Sequence, residues 1–218
     1  MQKLSPRLQF VAGEIGKAKT IADIGTDHGK LIVYALENGL AERAFAVDIS
    51  KKSLDKAKKN IEESGLSGKV DFFCGDGLLP LKEQPDVAII AGMGGNEIVK
   101  ILSEGHRADR LILVPHQDAY LVREYLLQNH YSIEKDYVIE DGKFYSIIVT
   151  ASGESYYSDD EIILGKNNPN REAFGRRNEK RMIQIEKILR EQGVGIEDLK
   201  TDIQREYEVL KKWSESRK

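Results

Sequence analysis

Cysteine is nearly absent from this chain of 218 residues: Cys74 stands alone, which excludes an internal disulfide and leaves the fold to apolar burial. Histidine is scarce too. His28, His106, His116 and His130 show no ligand spacing, and with one thiol there is no zinc pattern, so no metal is expected. No apolar run approaches the roughly 18 residues that spanning a bilayer requires, and Met1-Gln2-Lys3-Leu4 lacks the charged-then-apolar order of a signal peptide. A soluble, cytoplasmic protein with no membrane partner is the expectation. A net basic surplus is also missing: the formal charge is −3, which gives no global attraction to a polyanion. Basic residues are concentrated locally instead, at Lys51, Lys52, Lys56, Lys58 and Lys59, and again at Lys166, Arg171, Arg176, Arg177, Lys180, Arg181, Lys187 and Arg190. Either stretch also reads as ordinary solvated helix surface.

What the chain has is a run of apolar segments that end in glycines and a carboxylate. Ile21-Ala22-Asp23-Ile24-Gly25-Thr26-Asp27-His28-Gly29 is the first, followed by Val47-Asp48, Gly75-Asp76-Gly77 and Ala91-Gly92-Met93-Gly94-Gly95. Each reads as a buried parallel strand with its tip at the carboxyl edge of an open α/β sheet, where nucleotide sites are built. Ser5-Pro6 opens a short helix, with the proline at its first position. Strands are expected at 20–24, 44–47, 70–73, 86–90 and 110–114, with helices at 31–38, 53–63, 96–102 and 119–128 between them. After the fifth unit, residues 132–139 and 144–150 flank Asp141-Gly142, a strong hairpin signal. Five alternating units closed by an antiparallel pair is the layout of a methyltransferase sheet and not of an NAD-binding one. From residue 153 the character changes. Asn168-Pro169 reads as a helix start, Met182, Ile185 and Leu189 form one apolar stripe, and Ile196, Leu199, Ile203, Leu210 and Trp213 form a second beyond Gly193-Val194-Gly195. The expected organisation is a cofactor-binding domain at 1–152, and a linker with a helical hairpin arm, coiled-coil-like at its seam, at 153–218.

The tips suggest a ligand. Gly25 and Gly29 let backbone approach a ligand closely, and the next helix offers free N–H groups. An NAD fingerprint needs a glycine where Asp27 stands. A carboxylate there repels a pyrophosphate but tolerates the sulfonium and ammonium of S-adenosylmethionine. Asp48 falls where an acidic residue meets ribose hydroxyls. Asp76, between two glycines, is placed to accept from an adenine amine. The fourth tip lacks the Asn/Asp-Pro-Pro-aromatic turn of amino-methyltransferases. Its glycines can bring a flat base against the backbone with Met93 packing on it, or can simply make a tight turn filled by Met93.

Together Asp23-Ile-Gly-Thr-Asp27-His28, Gly75-Asp76-Gly77-Leu78, Ala91-Gly-Met-Gly-Gly95, the Pro115 to Arg123-Glu124 segment and Glu140-Asp141-Gly142-Lys143-Phe144-Tyr145 resemble the bacterial tRNA adenine-N1 methyltransferases that modify adenine 22, the TrmK family. The resemblance covers about residues 4–149, and the tail more loosely. It implies a Rossmann-like α/β catalytic domain, S-adenosyl-L-methionine as donor with S-adenosyl-L-homocysteine as product, tRNA as substrate, and a helical arm that helps to hold the RNA. The sequence departs from the family where Lys30 and Ile32 replace Tyr and Pro, and where His116 replaces Asn.

On this basis Asp27, His28, Met93 and Gly94 are the candidate catalytic residues. Asp23, Gly25, Asp27, Gly29, Asp48, Ile49, Asp76, Gly77, Ala91 and Gly92 are the candidate cofactor residues, and Arg123, Arg176, Arg177, Lys180 and Arg181 the candidate RNA contacts. Adenine N1 carries an in-plane lone pair, so in-line positioning dominates the chemistry and elaborate acid–base machinery is unnecessary. Asp27 either faces the N6 edge of the base, with His28 orienting it, or bonds the methionine ammonium of the cofactor. The target must leave its stack, since N1 lies on the pairing edge. A monomer is expected. Two other readings keep the fold: a methyltransferase of a small molecule or protein, and an RNA-binding protein without turnover. Cys74 reads as an inert packing residue.

Overall fold

The structure, a computed structural model, describes residues 3–105, 107–166 and 170–217. The chain runs α1 (Pro6–Ile15), β1 (Ala18–Ile24), α2 (Lys30–Glu37), β2 (Ala41–Asp48), α3 (Lys51–Glu63), β3 (Val70–Cys74), β4 (Val87–Met93), α4 (Gly95–Glu104), β5 (Arg110–Pro115), α5 (Ala119–Gln128), β6 (Ser132–Asp141), β7 (Lys143–Ala151), α6 (Asp159–Leu164), α7 (Arg171–Gln192) and α8 (Thr201–Glu215). The strands form one sheet in the order β3-β2-β1-β4-β5-β7-β6. β7 runs antiparallel to both its neighbours, and the other pairings are parallel. The expected methyltransferase layout is therefore the observed one.

Two apolar cores explain why the inner strands read as unbroken hydrophobic runs. Ile21, Ile89 and Ile112 face one side with Val11, Leu31 and Ile61 from α1, α2 and α3. Ala22, Ile90 and Leu113 face the other with Ile98, Ile101 and Val122 from α4 and α5. At the amino edge Asp86 accepts from Lys19 N and Thr20 N at 2.7 and 2.8 Å, which pairs backbone groups at the start of β1 and fixes where it enters the sheet. The hairpin turns at Gly142, whose φ of +68° needs a glycine. The reversal at β1–β4 leaves a crevice at the carboxyl edge, bordered by the tips of β1, β2, β3 and β4.

Beyond β7 the expected second stripe forms, with changes. α7 and α8 run antiparallel, since Arg181 pairs with Glu206 while Glu179 pairs with Arg217. Met182, Ile185 and Leu189 of α7 meet Ile203, Leu210 and Trp213 of α8, and Leu199 joins them, as the spacing predicts, whereas Ile196 is not part of this cluster. A short third helix, α6, was not anticipated. Its Ser158–Glu161 capping box starts it, and its Ile163 and Leu164 enter the same cluster, so the apolar stripes meet in a three-helix cluster. The expected helix start at Asn168-Pro169 lies outside the described residues, and α7 is capped by Asn170, whose Oδ1 accepts from Ala173 N at 3.1 Å.

Candidate active site

The expected cofactor residues line one sheet edge. Asp23 is buried at the end of β1, where its Oδ2 accepts from the Thr26 hydroxyl at 2.8 Å. Burial pushes its carboxyl up from 3.8 to about 6, Thr26 opposes that rise, and the neighbouring Asp48 adds to it. Asp48, half-buried at the tip of β2, receives Ser50 N on Oδ1 at 2.7 Å. Its other oxygen has no partner among the described residues. Ile49 follows with its side chain in the open, 73% exposed. Asp76, past β3, is held on Oδ2 by Lys100 Nζ at 2.8 Å, and its other carboxylate oxygen is free among the described residues.

Two turns close the edge. Gly25, at φ +79°, leaves room for Met93: a Cβ on residue 25 would lie 2.8 Å from Met93 Cε. Met93 thus bridges the tips of β1 and β4. Gly92 is the bulge between the pairs Ala91–Val114 and Met93–Pro115, at φ +84° with nothing within 4 Å of where its Cβ would be. Gly95 has a different reason to be glycine. A Cβ there would sit 2.1 Å from the Asp118 carbonyl oxygen, so close docking of α4 on the loop after β5 requires it. Gly94 caps α4 and lies against the Gln117 side chain.

Asp27 stands on the exposed rim of this edge. Its φ is +22°, unusual for a side-chain-bearing residue. Lys56 Nζ approaches Oδ1 at 3.3 Å, and His28 Nε2 lies 3.3 Å from Oδ2. Gly29 behind it, at φ +64°, packs on Ala57 and Ile61 of α3, so the loop is seated against that helix. Asn60 Nδ2 donates to the His28 carbonyl at 2.9 Å and completes the seat.

The basic residues expected to meet RNA are arranged otherwise. Arg123 is a correction: its side chain is fully buried, forked onto both Asp136 oxygens at 2.8 and 3.0 Å, and it donates to the Ile162 carbonyl at 3.0 Å. Tyr157 and Lys166 N also reach Asp136, so this ion pair ties the helical segment to α5 and β6. Arg123 therefore has no access to a substrate. Arg177 is half-buried, bonded to the Leu164 carbonyl at 2.6 Å and lying over the Phe174 ring; burial, then Arg123, lowers its pKa. Arg176 is paired with Glu140 at 2.6 Å and with Glu172, and Arg181 is forked onto Glu206. Lys180, exposed over the Phe144 ring, has no carboxylate partner among the described residues.

The donor set suits a cationic adenosyl donor. Carboxylates stand at three adjacent strand tips, two of them with an oxygen available, and two glycine turns leave backbone open beside them. A 330 Å³ cavity between Tyr131, Tyr156 and Tyr157 lies at the opposite edge and brings none of these groups together. A family model described as a methyltransferase domain matches residues 4–148. The tRNA (adenine(22)-N(1))-methyltransferase of Bacillus subtilis (strain 168) is 39% identical over 168 residues, 74% of this chain and 71% of that protein. The chain belongs to this methyltransferase family. Among solved structures, M. capricolum TrmK in complex with S-adenosyl-homocysteine matches with a TM-score of 0.85 at 27% identity, over 97% of this chain and 98% of that one. A Streptococcus pneumoniae protein in complex with S-adenosyl-L-methionine matches with 0.83 at 29% identity, over 95% and 100%.

As a member of this family the chain carries the expected fold, and the strand-tip motifs fall in the matched region. The expectations missed Thr26, Lys56, Lys100 and Gln117, which orient or flank the expected residues. Lys56 and Lys100 had no local signal, since each meets its partner from a following helix. No helix among the described residues is long and apolar enough to cross a membrane.

Proposed function

We propose that this chain transfers the methyl group of S-adenosyl-L-methionine to N1 of an adenine in tRNA, at position 22. The observation that carries the reading is the convergence of Asp23, Asp48 and Asp76 at the tips of β1, β2 and β3, beside the open glycine turns, in a chain of this family. The name of the Bacillus subtilis relative supports the RNA substrate and the position of the base. Residues 1–152 serve as the cofactor and catalytic domain and residues 153–218 as an appended helical arm.

Bound in that crevice, the cofactor supplies an electrophilic methyl on sulfur. In this reading Asp48 accepts from the ribose hydroxyls, and Asp76 accepts from the adenine amine through the oxygen that Lys100 leaves free. Asp23 contributes negative charge behind the cleft. Ile49 covers the apolar face of the adenine, and Gly25, Gly29, Gly77, Ala91 and Gly92 keep the walls close. Asp27 stands apart from this set, on the rim, and we assign it to the target base. Adenine N1 attacks with its own lone pair; the N1–carbon bond forms as the carbon–sulfur bond breaks, and the ring becomes positively charged. A carboxylate at the N6 edge stabilises that charge and can accept an N6 proton, with His28 and Lys56 fixing its orientation. Met93 and Gly94 form the floor on which the base rests.

The test is to incubate the protein with labelled S-adenosyl-L-methionine and unmodified tRNA transcript and to digest to nucleosides. Label recovered as 1-methyladenosine is the expected result, and label in no nucleoside would overturn it. Asp27→Asn separates the roles of Asp27: turnover falls by about 10²–10³-fold, the scale for removing one transition-state contact, while affinity for S-adenosyl-L-homocysteine holds. Loss of that affinity instead would place Asp27 on the cofactor.

A further inference from the structure

We infer that the RNA backbone is gripped by the flank of α3, through Lys52 and Lys59 together with Lys30 at the start of α2, and not mainly by the carboxylate-paired arginines of the helical arm. The inference rests on the proposed RNA substrate and assigns it a surface. Positions 52, 56 and 59 recur at i, i+4 and i+7, so their side chains share one side of α3. That side borders the candidate site. Lys56 reaches Asp27, Asn60 of the adjoining row holds the His28 carbonyl, and Lys30 follows Gly29, which is packed on Ala57 and Ile61.

What separates this flank from the arm is its place beside the Asp27 loop, together with the contrast between its lysines and the arm's carboxylate-paired arginines. In the arm, Arg176, Arg181, Arg205 and Arg217 each hold a carboxylate within 3.2 Å, while Arg171, Lys180 and Arg190 have no carboxylate partner among the described residues. A cation already neutralised at that distance gives up a partner when it meets a phosphate, and gains little. On α3, Lys52 has no ionic or hydrogen-bond partner among the described residues, and neither has Lys30. Lys59 has only Glu63, at 3.9 Å. Helix stability does not account for the arrangement either. Lys51 and Lys52 occupy the first turn of α3, where no acidic residue is present and where the helix dipole disfavours positive charge. Lysines there oppose the dipole and together with it present a positive field beside the cleft, where the phosphates next to an extruded adenine must pass.

Lys56 touches Asp27, so the test uses its neighbours. Lys52→Gln/Lys59→Gln is compared with the wild type for KM toward unmodified tRNA transcript across monovalent salt, with S-adenosyl-L-homocysteine affinity as the control for an intact fold. Each lost phosphate contact reduces the salt slope by about 0.7 on the single-strand scale and about 0.9 on the B-form duplex scale, which bracket the effect here. Raising salt fourfold should therefore weaken the wild type about 7- to 12-fold more than the double variant. Lys52→Arg/Lys59→Arg keeps the charge and should restore the wild-type slope. Neutralising the arm with Arg176→Gln/Arg181→Gln should leave the slope near the wild-type value. A double glutamine variant with unchanged KM and slope, or an arm variant that carries the whole loss, would overturn the assignment. Wild-type protein that transfers no methyl to tRNA would instead overturn the reading of the function, so the two failures are distinguishable.

Discussion

Asp23→Asn tests what burial does at the end of β1. In the folded chain the Asp23 carboxyl holds its proton up to about pH 6, whereas the unfolded chain releases it near 3.8. Between those values the unfolded state binds fewer protons, so the contribution of Asp23 to stability falls as pH rises through that window and stays low above it. A difference of this size corresponds to about 3 kcal/mol. Asparagine has the same shape, can still accept from the Thr26 hydroxyl, and does not titrate. The informative quantity is the stability of the variant minus that of the wild type, from urea unfolding at a series of pH values. Titrating groups that do not interact with Asp23 cancel in this difference. It should shift in favour of Asp23→Asn by about 2 kcal/mol between pH 4 and pH 7, with most of the change before pH 6. The variant should simultaneously lose affinity for S-adenosyl-L-methionine near neutral pH, because the charge that destabilises the empty fold is the one a cationic ligand favours. A stability difference that stays flat across this range would refute the reasoning, since Asp23 would then ionise alike in both states.

Removing one partner of the buried pair, in Arg123→Met, should destabilise the protein by about 3–5 kcal/mol in urea unfolding, since it leaves Asp136 charged and uncompensated in the interior. Arg123→Lys should recover only part of that, because an ammonium cannot fork onto both Asp136 oxygens. Gly95→Ala places a Cβ 2.1 Å from the Asp118 carbonyl oxygen, a backbone atom that cannot rotate away, so it should cost about 1–3 kcal/mol or more by the same measurement. A neutral result would mean that the loop after β5 yields freely.

The sheet was legible because its signals are local. Apolar runs closed by glycine and carboxylate marked β1 to β4, Asp141-Gly142 marked the hairpin, and the observed elements extend the expected ones by a few residues at most ends. The strand-tip carboxylates were legible for the same reason, since a parallel sheet brings consecutive tips to one edge without further information. What the sequence could not show is pairing across distance. Arg123 reads as helix surface until Asp136, thirteen residues on, and the Ile162 carbonyl close over it. Its helix, α5, lies between the sheet and α6, and no periodicity within α5 reveals that second cover. The short α6 escaped notice because a helix of six residues has too few turns for an apolar stripe, although Ser158 and Glu161 carried the capping signal.

The same distinction decides how charge is to be read along this chain. Residues 171–190 and 51–59 look alike as basic stretches, yet in the first Arg176 and Arg181 are held by Glu140, Glu172 and Glu206, two of which lie outside their own helix. The second faces mainly solvent and the Asp27 loop. A count of cations ranks the arm above α3, and so, among the described residues, does a count of those without a carboxylate partner, Arg171, Arg177, Lys180 and Arg190 against Lys51, Lys52 and Lys58; what favours α3 is its place beside the Asp27 loop. Arg176 and Arg181 fasten α7 to β6 and α8, and in the proposed arrangement the positive field offered to a polyanion is the one beside the cleft.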